Sequence, residues 1–204
     1  MNDQRQAWER SYQQNKFDQL EWFQSDPETS LALIGTASEA QPIIDIGSGS
    51  SLLVDRLVAC GFTDITLLDF SPTALGQVHQ RLKEHQNKIK LIAADILTQP
   101  LPPKFRCWHD RGLLPLLTNP ADRQRYVERL KGALLPGGSV ILAGFASNTS
   151  SYANGLPTLS HEVDALKELL GPQFELRTEV EQNHLTPSGA EQPYLFTQWR
   201  RISR

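Results

Sequence analysis

Between residues 41 and 145, short apolar runs alternate with stretches of helical periodicity, and this alternation narrows the available folds more than any other feature. The run 42–46 (Pro-Ile-Ile-Asp-Ile) stops at Gly47 and reads as a buried strand. Over 51–60, Leu52, Leu53, Leu57 and Val58 have helical spacing, and Gly61 supplies a C-terminal stop. A second strand is predicted over 65–68, followed by a helix that Ser71 caps and Pro72 begins. Further strands are predicted over 89–93 and 105–108. Asn119-Pro120 opens a helix to about Leu134, a turn follows at 136–138, and a fifth strand covers 139–145. Strands separated by helices are joined by crossovers, so these five should be parallel. The tail differs, because the runs 174–184 and 194–201 are joined by a Pro-Ser-Gly loop with no helix between them. They predict an antiparallel hairpin. The fold class is therefore α/β, a three-layer sandwich around a mostly parallel seven-stranded sheet with a C-terminal antiparallel hairpin.

Ahead of the sheet, Trp8, Tyr12, Leu20, Phe23, Leu31 and Ile34 recur at helical spacing from Ala7 to about Ala37. Asp26-Pro27-Glu28 opens the second of two helices there, with Asp26 as cap. Residues 1–40 thus form a helical cover and 41–204 the core of a single domain. At 204 residues, 39% hydrophobic and 21% charged, the chain can bury a full core. A net charge of -3 offers no general field for phosphates, which speaks against a nucleic-acid partner. Cys60 and Cys107 are isolated, so neither a metal cluster nor a disulfide framework is expected. No apolar run is long enough to cross a bilayer, which gives the expectation of a soluble, cytoplasmic protein without a membrane partner.

The strongest chemical signal is Asp45-Ile46-Gly47-Ser48-Gly49-Ser50-Ser51, set between a strand and a helix. Gly47 and Gly49 let the backbone approach a ligand, and the following helix start presents free N–H groups. A nicotinamide-binding turn would need a third glycine where Leu52 stands. Asp45, two places before Gly47, would also repel a pyrophosphate. Its carboxylate suits instead a ligand with a positive amino group and no phosphate, such as the methionine part of S-adenosylmethionine.

On these residues the chain resembles the class I S-adenosylmethionine-dependent methyltransferases, from about Gln41 to the C-terminus. Their glycine loop commonly ends in a glycine where this chain has Ser51. The resemblance implies a Rossmann-like sheet, S-adenosylmethionine as cofactor and S-adenosylhomocysteine as product. It gives Asp69 the ribose hydroxyls, although a turn aspartate before Ser71-Pro72 is the other reading. Phe70 would pack on the adenine or in the core. Asp95 would meet the exocyclic amine and Ile96 would offer a backbone N–H, unless Asp95 is a solvated loop carboxylate. Within the stretch Cys107-Trp108-His109-Asp110-Arg111, His109 or Asp110 could act as a base or orient the acceptor. The alternative is a satisfied core histidine and a helix-capping aspartate. Glu21-Trp22-Phe23 resembles a segment that closes over the cofactor, with Trp22 as an aromatic lid or simply a core residue. The loop 184–192 could meet the acceptor or be an ordinary hairpin loop.

Methyl transfer from a sulfonium needs alignment and exclusion of water more than acid–base chemistry. No metal is implied. A methyltransferase acting on a small-molecule or protein-lysine acceptor is the function expected, as monomer or homodimer. DNA bases are disfavoured because the Asn-Pro-Pro-Tyr type of motif does not follow the fourth strand. A non-catalytic S-adenosylmethionine-binding or scaffold protein is the alternative.

Overall fold

Seven strands lie in one sheet in the computed structural model, which describes residues 2–35, 41–146 and 152–202. The strands are β1 (Ile43–Ile46), β2 (Ile65–Asp69), β3 (Ile89–Ala93), β4 (Phe105–Arg111) and β5 (Leu134–Phe145). After a two-stranded hairpin, β6 (Tyr152–Ala153) and β7 (Leu156–Pro157), come β8 (Phe174–Leu185) and β9 (Glu191–Arg201). The spatial order is β3-β2-β1-β4-β5-β9-β8. Strands β1 to β5 pair in parallel, and β9 runs antiparallel to both β5 and β8. The chain builds outward from β1 in one direction, then returns to place β4 on its other side. Successive connections therefore diverge at β1 and β4, leaving a crevice at their carboxyl ends.

Both faces of the sheet are covered, so its strands are apolar on both sides. On one face Ile43, Ile65, Leu67 and Ile141 pack under α2 (Glu28–Gly35), α3 (Leu53–Ala59) and α4 (Pro72–Arg81). On the other, Ile44, Leu68, Trp108 and Trp199 pack under α5 (Pro120–Ala133) and α6 (Val163–Leu170). Each fully buried aliphatic side chain contributes about 1.5–3 kcal/mol by leaving water.

Local signals set several element ends. Ser71 Oγ accepts from Ala74 N at 3.1 Å, and Asn119 Oδ1 accepts from Ala121 N at 2.8 Å, each followed by proline at the first helical position. Ser51 is not helical; its Oγ accepts from Leu53 N at 3.1 Å just ahead of α3. Residues 136–138 are not a free turn before the fifth strand. They are an irregularity inside β5, where its register with β4 shifts between Phe105 and Cys107. The β6–β7 hairpin and α6 have no counterpart in the sequence reading. The end of the second helix near Ala37 and the boundary at residue 40 fall outside the described residues.

The N-terminal cover begins with α1 (Asn2–Gln14), which lies on α4. Glu9 accepts from Ser71 Oγ at 2.5 Å and from Thr73 Oγ1, placing a carboxylate at the positive end of α4. Gln77 Nε2 donates to the Tyr12 carbonyl at 3.2 Å. Among the described residues no helix is long and apolar enough to cross a membrane, and no cluster of His, Cys, Asp and Glu could hold a metal.

Candidate functional site

The crevice at the carboxyl ends of β1, β2 and β4 is where the chemistry-bearing residues converge. After β1 the backbone turns through left-handed φ values at Gly47 (65°) and Gly49 (54°), which glycine adopts without penalty. Space also demands glycine here. A Cβ on Gly49 would collide with Tyr12 Oη, and one on Gly47 would stand 2.8 Å from Leu113 Cδ1.

Asp69 ends β2 and fastens this turn. Its Oδ2 accepts from Gly49 N at 2.8 Å and its Oδ1 from Ser71 N at 2.8 Å. Burial pushes its carboxyl up to about 6, against the pull of those two N–H groups. Each carboxylate oxygen has two lone-pair directions, so both retain accepting capacity. Asp69 lines a cavity of about 240 Å³ together with Gly47, Phe70, Asp95 and Ile96. Asp95 Oδ1 accepts from Leu97 N at 2.9 Å, which shapes the loop after β3.

Aromatic residues from the cover roof this cavity. Trp8 and Trp22 meet edge-on with centroids 4.6 Å apart, and Tyr12 meets Trp22 at 5.8 Å. Trp22 Nε1 donates to Tyr12 Oη at 3.2 Å. The cover is also held from the opposite side. His184 Nε2 donates to the Glu21 carbonyl at 2.7 Å, Ser188 Oγ to Glu21 Oε2 at 3.0 Å, and Arg111 Nη1 to the Trp22 carbonyl at 3.0 Å. The loop 184–192 thus ties down the cover, and its Gln192 lines the same cavity.

Asp45 faces a smaller cavity of about 50 Å³ beneath the glycine turn, shared with Ser48, His109 and Arg111. His109 Nδ1 donates to Asp45 Oδ1 at 2.7 Å, and its Nε2 pairs with Ser30 Oγ of α2 at 2.9 Å. Both ring nitrogens are engaged, which leaves no free nitrogen for an acceptor's proton. The histidine has the satisfied, buried role that the sequence left open.

Asp110 likewise has its side chain fully engaged. Its side chain points to the opposite face of the sheet, fully buried, and lines neither cavity. Oδ1 accepts from Leu113 N at 2.9 Å, and Oδ2 accepts from Leu114 N at 3.1 Å and from Tyr126 Oη at 2.6 Å. The carboxylate caps the short 3-10 turn Leu114–Leu116, and burial lifts its pKa to about 6.

Sequence reasoning singled out His109 and Asp110 from the end of β4 and passed over Arg111. Alternation along the strand carries the missing signal. Asp45 pairs with His109, so Arg111, two residues on, shares their face. Its guanidinium lies 4.7 Å from the Tyr194 ring centroid and lines both cavities. Tyr194 itself arrives from β9 opposite Phe145, a pairing that no local pattern announces.

A family model described as a methyltransferase domain matches residues 43–138. Among curated relatives, EEF1A lysine methyltransferase 2 of Danio rerio is 28% identical over 150 residues, spanning 70% of this chain and 58% of that protein. The chain covers less than two thirds of the length of the curated relatives it matches, from 20% to 58%. Among solved structures, a protein described under the conversion of a disulfide bond into a thioacetal group during echinomycin biosynthesis superposes with a TM-score of 0.78. It is 17% identical, and the match covers 98% of this chain and 93% of that one. The N-methyltransferase NodS of Bradyrhizobium japonicum, solved with S-adenosylhomocysteine, gives a TM-score of 0.74 at 17% identity, covering 97% of this chain and 98% of that one. These structural likenesses concern the fold.

Proposed function

We propose that this chain, which matches a methyltransferase-domain model over residues 43–138, is a class I S-adenosylmethionine-dependent methyltransferase that transfers the cofactor's methyl group to a nucleophile on a small molecule or a protein side chain. The observation that carries this reading is Asp69, a buried carboxylate that fixes the glycine turn and still presents accepting capacity to the cavity. The cofactor fits the donors and acceptors present. Asp69 would take the ribose hydroxyls, Phe70 an adenine face, Asp95 its exocyclic amine, the Ile96 backbone N–H a ring nitrogen, and Asp45 with Gly47 and Gly49 the amino-acid end. The sulfonium, when bound, supplies a methyl group that is already activated.

The chain's own contribution is then to hold, align and dry. Trp8, Tyr12 and Trp22 exclude water above the cavity, and an aromatic face favours a cationic ligand. With His109 and Asp110 both committed elsewhere, alignment rather than proton abstraction is the work of the residues at the end of β4. Residues 1–204 act as one methyltransferase domain, residues 1–40 covering the core. The free thiols of Cys60 and Cys107 accord with a cytoplasmic setting, and the net charge of -3 with an acceptor other than nucleic acid.

Titration calorimetry with S-adenosylhomocysteine, with NAD as the control ligand, tests the cofactor. Binding of NAD alone overturns the reading. Labelled methyl transfer into a lysate, separated into protein and small-molecule fractions, tests turnover and sorts the acceptor class. A bound cofactor with no transfer in either fraction would return the non-catalytic alternative. The roof adds an expectation of its own. Trp22→Ala removes two edge-on ring contacts, each worth about 0.5–1.5 kcal/mol. It should weaken S-adenosylhomocysteine about three- to tenfold by opening the roof to water, and the lost ring contacts, about 1–3 kcal/mol together, should lower Tm by roughly 2–12 °C although Arg111 and His184 still hold the backbone carbonyls. An unchanged dissociation constant would make Trp22 a packing residue only.

A further inference from the structure

Arg111 is a buried cation of the crevice whose surroundings leave it incomplete. Nη1 is used on the Trp22 carbonyl, but Nε and Nη2 are closed off from solvent and have no acceptor among the described residues. A buried guanidinium left in that state is costly unless an anion completes it. The protein's own carboxylates near it do not bond to it: Asp45 takes His109 on Oδ1, leaving Oδ2 for a ligand, and Glu21 takes Ser188 on Oε2. The other charged or titratable neighbours, His184 and Tyr194, offer no negative charge at neutral pH in their buried settings.

A second unpartnered group points the same way. Ser48 Oγ, inside the glycine turn, is buried with no partner among the described residues and lines the same small cavity as Arg111. The cavity therefore gathers two unsatisfied guanidinium N–H groups, one unsatisfied hydroxyl and the carboxylate of Asp45. That set complements a zwitterion. The two free N–H groups lie on one edge of the guanidinium, the fork that matches the two oxygens of a carboxylate. A phosphate dianion would meet Asp45 as well, which disfavours it.

We infer that Arg111, helped by Ser48, receives the α-carboxylate of the cofactor's amino-acid end, in the cavity where Asp45 meets its ammonium. This rests on the cofactor assignment above and adds to it a residue that reads the carboxylate. The site should then discriminate S-adenosylhomocysteine from the same molecule without its carboxyl group.

The experiment compares S-adenosylhomocysteine with S-adenosyl-3-thiopropylamine by calorimetry, using wild-type protein, Arg111→Met and Ser48→Ala. Wild type should prefer the carboxylated ligand by about tenfold or more, as a bidentate charge-assisted pair would give. Arg111→Met should lose that preference by weakening the carboxylated ligand alone. Ser48→Ala, which leaves the clasp on Trp22 intact, should reduce the preference a few-fold and decides the matter if Arg111→Met does not fold. Wild-type binding of both ligands with equal affinity overturns the inference and leaves the cofactor assignment standing. Equal weakening of both ligands by Arg111→Met also overturns it, assigning the arginine to the clasp. If wild type binds neither, both readings fall together.

Discussion

Asp69→Ala should weaken S-adenosylhomocysteine binding by about two orders of magnitude or more in a protein that still folds. In the role proposed for it the carboxylate accepts from two ribose hydroxyls, and hydrogen bonds to a charged group are worth about 1.5–3 kcal/mol each. The substitution also frees the N–H groups of Gly49 and Ser71, which relaxes the turn that approaches the ligand. Circular dichroism and calorimetry on the variant check it, and a folded variant with wild-type affinity excludes the ribose role. The pH dependence follows from the carboxyl being lifted to about 6 by burial. Above that pH the group is an acceptor, whereas below it a proton turns one acceptor into a donor. Affinity should be flat above pH 6 and decline as the pH falls through it. In the ligand-free protein the sign is opposite. Between about 6 and the ordinary carboxylate value of 3.8, the folded state holds a proton that the unfolded state lacks. This group therefore adds stability as the pH drops through that window.

Asp110→Ala should act on the fold rather than on the chemistry. It strips a buried acceptor from Tyr126 Oη and from the N–H groups of Leu113 and Leu114, leaving them without water to replace it. With about 1–3 kcal/mol for each unsatisfied group, a loss of roughly 3 kcal/mol or more is expected. For a chain of this size that lowers Tm by about 6–12 °C. Tyr126→Phe removes one bond of the set and should cost less, since Trp108 Nε1 loses its partner at 2.8 Å but the caps survive. Unfolding followed by calorimetry or fluorescence reports both. An Asp110→Ala protein with wild-type Tm and depressed turnover would restore the carboxylate as a base.

The sheet was legible because its strands are short, apolar on both faces and punctuated by caps that work locally. Ser71-Pro72 and Asn119-Pro120 each set a helix start from two residues, and the structure shows the capping bonds. The terminal hairpin was legible from two runs with no helix between them. The β6–β7 hairpin escaped because its strands are two residues each, too short for any periodicity. The helix α6 spans only eight residues and buries only Leu166 and Leu170. At the site, the residues carried by motifs were readable one at a time, and what lay beyond reach was orientation. His109 and Asp110 are neighbours in sequence but point to opposite faces, one toward Asp45 and Ser30, the other toward Tyr126. Residue type alone could not tell which nitrogen or oxygen would be left free. Tyr194 and Gln192 reach the crevice only because β9 pairs with β5, a contact between distant parts of the chain.

The cover is clasped through two carbonyl oxygens, those of Glu21 and Trp22, by His184 and Arg111. A carbonyl carries no record of the side chain beside it. Substitution at these two positions therefore leaves the two backbone clasps in place, although it gives up the side-chain ties of Glu21 to Ser188 and of Trp22 to Tyr12. In the proposed enzyme, what the roof shows to an acceptor can change while the backbone clasp persists. The residues that hold it come from β4, inside the sheet, and from the edge strand β8, and a change at either would loosen the clasp itself.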